Sequence, residues 1–201
     1  IKAAGAEFGI KDFGMRALLS MRLEKNFPTW GHELRPSYGP FEGGMDRFVK
    51  LSKNDFIGRE HAAKEHAEGP RRKRVSFIIE AETADVMRDE PVWAKTDIDH
   101  GIIEHPHEGG PHRFNAKNED YPHPGMASMV DGEWRVVGYV TSGGYAHGVQ
   151  MSMAQGYLPA AMANIADEDM FEIEVLGVRR KAKIAIDPPF DPQGKRMRGV
   201  V

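Results

Sequence analysis

The sequence predicts an α+β protein, with a helical N-terminal part followed by a small antiparallel β-barrel. Residues 13–26 have helix-forming composition, and a second, surface helix is expected near residue 58. From Val75 the chain turns into short β-branched and aromatic runs separated by turn residues. Six or so such runs suit a closed barrel. The expected division is residues 1–72 for the α+β part, 73–186 for the barrel and 187–201 for an extended tail.

The first helix lies in KDFGMRALLSMRLEKNFPTWGHEL, Lys11 to Leu34. Ala17, Leu18, Leu19, Met21 and Leu23 cover most of its circumference, so it is expected inside the domain. Phe13, Ala17, Met21 and Glu24 share one face, which puts a carboxylate at the end of an apolar stripe. An unpaired charge there is costly. Glu24 is therefore expected either to pair with Arg22 or Arg16, or to accept hydrogen bonds from a ligand's N–H groups. Pro28 ends the helix.

A loop rich in breakers follows (Gly31, Pro36, Gly39, Pro40), then the mixed segment FEGGMDRFVKLSK. Phe56 and Ile57 read as an apolar anchor before a surface helix from about Gly58 to Ala67. A Glu60–Lys64 pair is expected on that helix, and Gly69-Pro70 is its stop. The basic run Arg71 to Arg74 reads as a solvated linker. The expected strands are RVSFIIE, EPVWAKT, HGIIEH, EWRVVGYVTS, FEIEVLG and RRKAKIAID. Phe171, Ile173 and Val175 alternate with polar neighbours, as do Ala182, Ile184 and Ile186. Gly143-Gly144 is expected to form a two-residue hairpin turn. The Pro- and Gly-rich tail from Asp187 is expected to wrap the surface or fray.

The totals exclude several classes. A net charge of −3 gives no drive toward nucleic acid or anionic membrane. Cysteine is absent, so disulfides and thiolate chemistry are excluded. The absence of cysteine suits a reducing, cytoplasmic location; no apolar run is long enough to span a bilayer, and the start carries no signal-peptide pattern. No G-x-G-x-x-G follows a strand, so no dinucleotide fold is expected here. The chain opens on Ile1 and reads as a piece of a longer polypeptide. Five of nine histidines (His100, His105, His107, His112, His123) lie in a Pro-rich segment. Their spacing matches no zinc motif, so a metal-free surface loop is expected.

FGMRALLSMRLEKNFPTWGHEL, KNDFIGREHA and VVGYVTSGGYAHGVQMSMAQGYLP occur in that order across most of residues 8–177. Together they resemble the folate-binding aminomethyltransferase family, whose best-known member is the T-protein of the glycine cleavage system. The Trp-Gly after the first helix and the Gly-Gly-Tyr-Ala-His run look closer to the C-terminal portions of dimethylglycine and sarcosine dehydrogenases. The histidine segment is where the sequence departs most from that pattern.

The resemblance implies three subdomains around a folate channel, of which this chain holds the last barrel and the rear of the folate-binding region. It implies tetrahydrofolate as cofactor, a small methylated amine as one-carbon donor, and FAD only in an upstream domain of the same polypeptide. The family's catalytic aspartate lies upstream, so no catalytic residue is expected here. Glu24, in its Arg-Leu-Glu context, would accept the paired N–H donors of the pterin. Arg59 would lie near the folate, its alternative being a salt bridge to Asp55 or Glu60. Tyr145 would stand at the barrel mouth with His147 beside it, and Trp30 would supply an aromatic wall. Two other readings stay open. One is a barrel module for domain or subunit assembly that binds no cofactor, and the other an O- or S-demethylase on the same scaffold.

Overall fold

The computed structural model describes residues 1–98 and 130–200. Its helices are α1 (Lys2–Gly5), α2 (Met15–Glu24) and α3 (Arg59–Glu68). Its strands are β1 (Arg72–Ile79), β2 (Pro91–Lys95), β3 (Val130–Asp131), β4 (Trp134–Ala146), β5 (Met151–Pro159), β6 (Phe171–Val175) and β7 (Val178–Ile184). Six of the strands close in the order β2-β6-β7-β1-β5-β4 and back to β2, every pairing antiparallel, while β3 extends β4 at one end. The expected barrel is present. Its interior holds Phe77, Val92, Val140, Leu158, Phe171 and Ile173, with Phe77 edge-on to Phe171 at 6.1 Å. Closure hides every edge of the six, which is why short strands suffice.

The strand expectations hold for β1, β2, β4, β6 and β7, whereas HGIIEH and the histidine segment lie outside the described residues. Phe171, Ile173 and Val175 face the core, but Ile186 lies beyond the end of β7 and is exposed. Strand β5 was not expected, because MSMAQGYLP is poor in β-branched residues. Tertiary pairing makes it a strand: it lies between β1, along Arg72↔Pro159 to Ile79↔Ser152, and β4. Glycine permits that approach. A Cβ at Gly156 would lie 2.4 Å from the Tyr139 carbonyl oxygen, and one at Gly138 2.1 Å from that of Tyr157.

Gly143-Gly144 does not form the turn. Both lie inside β4, opposite Ala154 and Met153, and residues 147–150 turn the chain instead. What glycine supplies at 143 is room, since a Cβ there would lie 2.6 Å from the Val86 carbonyl oxygen.

The first helix is also corrected. Within α2 only Arg22, Leu23 and Glu24 are buried, while Phe13, just before it, is 64% exposed and Met15 69%. Only the C-terminal turn of α2 reaches the barrel, where Leu23 packs on Ala146 and Met153. The circumferential apolar pattern registers composition; the barrel covers one end of it.

Helix α3 runs as expected to Gly69, but its ion pair is Lys64–Glu68 at 3.9 Å rather than Glu60–Lys64. The basic run is not a solvated linker. Arg72 opens β1, is buried, and pairs with Glu42 at 3.2 Å. Arg74 donates to the carbonyls of Gly43 (3.1 Å) and Asn26 (3.0 Å) and to the Gln155 side chain (3.2 Å). Irregular backbone at 26 and 43 leaves carbonyls without secondary-structure partners, and a strand-borne arginine satisfies them. The run bolts the N-terminal segment to the barrel.

The tail wraps back over the end of α2. The Phe190 N–H donates to the Glu24 carbonyl at 3.1 Å, and Lys25 pairs with Asp191 at 3.3 Å. Among the described residues no helix is long and apolar enough to cross a membrane.

Candidate functional site

The C-terminal turn of α2 grips the turn between β4 and β5 with two side chains one helical turn apart. Ser20 Oγ donates to the Tyr145 carbonyl at 2.9 Å and accepts the His147 N–H at 3.0 Å. Glu24 Oε1 accepts the Gly148 N–H at 2.6 Å. The Tyr145 and His147 rings meet edge-on at 5.0 Å. Glu24, Tyr145 and His147 are thus brought together from sequence positions more than a hundred residues apart.

Glu24 is 5% exposed, yet among the described residues it forms no ion pair. Arg22 points elsewhere, donating to Glu33 at 2.9 Å, and Arg16 is exposed. The internal arginine partner expected as one alternative is therefore absent among the described residues. Burial lowers the Arg22 guanidinium from its ordinary value, with the Glu33 carboxylate acting in the opposite direction.

Glu33 is the carboxylate that sequence reasoning missed. It is fully buried and accepts from the Thr29 N–H (2.9 Å), Arg22, Thr141 Oγ1 (2.8 Å) and Ser142 Oγ. Four donors around one charge make a satisfied network in a dry interior. Beside it, Tyr157 donates its hydroxyl to the Glu33 carbonyl at 2.8 Å, and the Tyr38 and Tyr139 hydroxyls lie 2.7 Å apart. Burial pushes all three phenols up. Nothing in the local sequence marks Glu33, because it sits in an irregular loop and two of its four donors come from β4, more than a hundred residues on.

The other two candidates make no hydrogen bond or ring contact with this group among the described residues. Trp30 is 73% exposed in the loop that carries the chain from α2 to Glu33. Arg59 begins α3 and donates to the carbonyls of Leu51 and Lys53, each at 3.1 Å. Neither the Asp55 nor the Glu60 salt bridge is formed, and no hydrogen bond or ring contact among the described residues joins Arg59 to Glu24, Tyr145 or Trp30. The described residues contain no cluster of three or more His, Asp or Glu able to hold a metal ion.

Two family models match the chain, the GCVT N-terminal domain over residues 1–53 and the glycine cleavage T-protein C-terminal barrel domain over residues 113–191. The mitochondrial dimethylglycine dehydrogenase of Mus musculus is 31% identical over 94% of this chain and 17% of its own length. The aminomethyltransferase of Moorella thermoacetica is 30% identical over 98% of this chain and 42% of its own length. The mitochondrial sarcosine dehydrogenase of Homo sapiens is 26% identical over 100% and 18%. The chain thus spans about a fifth of the dehydrogenases and less than half of the transferase. In fold, the crystal structure of the glycine cleavage system aminomethyltransferase T from Bartonella henselae matches with a TM-score of 0.67 at 18% identity, over 95% of this chain and 43% of that one. A closed six-stranded barrel behind a helical segment, both matched by T-protein family models, leads to one conclusion: the chain belongs to the glycine cleavage T-protein (aminomethyltransferase) family.

Proposed function

We propose that this chain is the folate-contacting C-terminal portion of a tetrahydrofolate-dependent one-carbon transferase, joined in a longer polypeptide to a flavin-linked dehydrogenase of the dimethylglycine or sarcosine type. The observation that carries the reading is the state of Glu24. Its carboxylate is buried at the end of α2, receives one backbone N–H from Gly148, and has no cationic partner among the described residues. A carboxylate can accept about four hydrogen bonds, so this one keeps capacity for a neighbouring pair of donors. The pterin of tetrahydrofolate carries such a pair.

Tetrahydrofolate would supply the nitrogens that take up the one-carbon unit from a methylated amine. The chain's own part is placement and electrostatics. Glu24 would orient the pterin. Ser20 and the His147-Gly148 backbone hold the β4–β5 turn against that carboxylate, and Tyr145 would add a ring beside it. Trp30 would lend an exposed aromatic face, and Arg59 would act by bracing the 51–53 loop. The test is calorimetric titration of the full polypeptide with tetrahydrofolate. Glu24→Gln is expected to weaken binding at least about tenfold, as hydrogen bonds to a charged group contribute roughly 1.5–3 kcal/mol. Equal affinity would remove Glu24 from the site.

A further inference from the structure

A second feature has no part in that reading. Between the N-terminal segment and the outer wall of the barrel lies a groove of about 730 Å³, and none of Glu24, Trp30, Arg59 or Tyr145 lines it. Its charged residues are all basic, Lys25, Arg47 and Arg74, with no acidic residue among the described ones that line it. Lys25 is already paired with Asp191. Arg74 is different: it is largely buried and has no carboxylate within 4.0 Å among the described residues. Its donors go instead to neutral oxygens of Gly43, Asn26 and Gln155. Burial lowers its guanidinium from the ordinary value.

Two polar atoms on the same walls are buried without a hydrogen-bond partner, Ser76 Oγ and Asn26 Oδ1. Ser76 is only 4% exposed. Buried polar atoms in native folds nearly always have partners, and two atoms able to take one lie on this groove. The remaining wall is mostly apolar, including Phe27, Phe48 and Ile186.

We infer that this groove binds a small organic carboxylate with an apolar body. The carboxylate would sit against the Nη2 side of the Arg74 guanidinium, whose Nε and Nη1 are already engaged, and accept from the Ser76 hydroxyl, since a guanidinium with no carboxylate partner and a hydroxyl are donors such a head group needs. Asn26 Oδ1 would accept an N–H or O–H next to that carboxylate. The apolar body would lie on Phe27 and Ile186. A charge-neutral apolar ligand would leave Arg74 without an anion, and an inorganic anion would leave the apolar wall bare.

The experiment is a calorimetric titration of the 201-residue chain with 2-hydroxyhexanoate, with 1-hexanol and inorganic phosphate as comparison probes. Saturable binding of 2-hydroxyhexanoate is expected, at least about tenfold tighter than either of the others. Ser76→Ala should weaken it several-fold while leaving the melting temperature unchanged or higher, because the substitution removes an unpartnered polar atom rather than a contact. The inference is overturned by absence of saturable 2-hydroxyhexanoate binding, by hexanol or phosphate binding equally well, or by Ser76→Ala binding as tightly as the parent chain.

Discussion

The Arg22 guanidinium and the Glu33 carboxylate meet at 2.9 Å with side chains 6% and 0% exposed, so the arginine next to Glu24 is engaged on the far side of the helix turn. That pairing leaves Glu24 without a cationic partner and pins the 27–34 loop to β4 through Thr141 and Ser142. One buried pair thereby shapes two parts of the candidate site.

Breaking the pair from one side should be severe. Glu33→Ala leaves Arg22 as an uncompensated buried charge and takes the acceptor from the Ser142 hydroxyl, while Thr141 keeps the Gln155 carbonyl at 3.0 Å. About 3–5 kcal/mol of destabilisation is expected in urea titration of the chain. Replacing both partners together, Arg22→Met with Glu33→Leu, should cost clearly less than Glu33→Ala alone. A double variant as unstable as the sum of its parts would show that the two do not act as a pair.

Asp89 supplies a pH dependence. Burial pushes its carboxyl up to about 6 from an ordinary 3.8, and Arg88 offsets only part of this. The folded chain therefore holds a proton that the unfolded chain has already released. Asp89's contribution to stability is present in full below about 3.8 and is lost as pH rises through about 6. Asp89→Asn, which also suits the left-handed backbone there (φ 78°), should raise the melting temperature at pH 7 and give no gain near pH 4. A gain equal at both pH values would contradict this origin.

Ser20 and Glu24 should divide the β4–β5 turn between them. Ser20→Ala removes the acceptor of the His147 N–H, so that amide should exchange with deuterium markedly faster while Gly148 stays protected. Stability should fall by about 1 kcal/mol. Unchanged His147 exchange would mean that the helix does not hold the turn through this hydroxyl.

Gly143→Ala is expected to destabilise the barrel by about 1–3 kcal/mol in thermal melts, because the added Cβ meets the backbone oxygen of Val86 and cannot be relieved by a rotamer change. A melt equal to that of the parent chain would show that β4 and the Val86 segment can part at no cost.

The barrel was readable wherever side chains alternate, as in Phe171, Ile173 and Val175, because burial on one face of a strand imposes a period of two. Strand β5 escaped notice because Gln155 and Gly156 are chosen by what lies across from them. Gln155 meets Arg74, and Gly156 clears the Tyr139 carbonyl. The same holds for Arg72 and Arg74, whose local sequence says solvated charge and whose partners, at positions 26, 42 and 43, are set only by the fold. Glu24 stood out through its place on a helix face, whereas Glu33 sits in an irregular loop with no period to betray it. The hairpin expectation at Gly143-Gly144 read two glycines as a turn when the first serves close packing within a strand.

The central claim is that the Glu24 carboxylate receives the pterin, and affinity compared against fold stability tests it most directly. Tetrahydrofolate titrations and thermal melts would be run on the full polypeptide carrying Glu24→Gln or Ser20→Ala. The account predicts that Glu24→Gln loses at least about tenfold in affinity with little change in melting temperature, and that Ser20→Ala shows a smaller loss. Unchanged affinity in Glu24→Gln, or a loss no greater than its melting temperature explains, would contradict it.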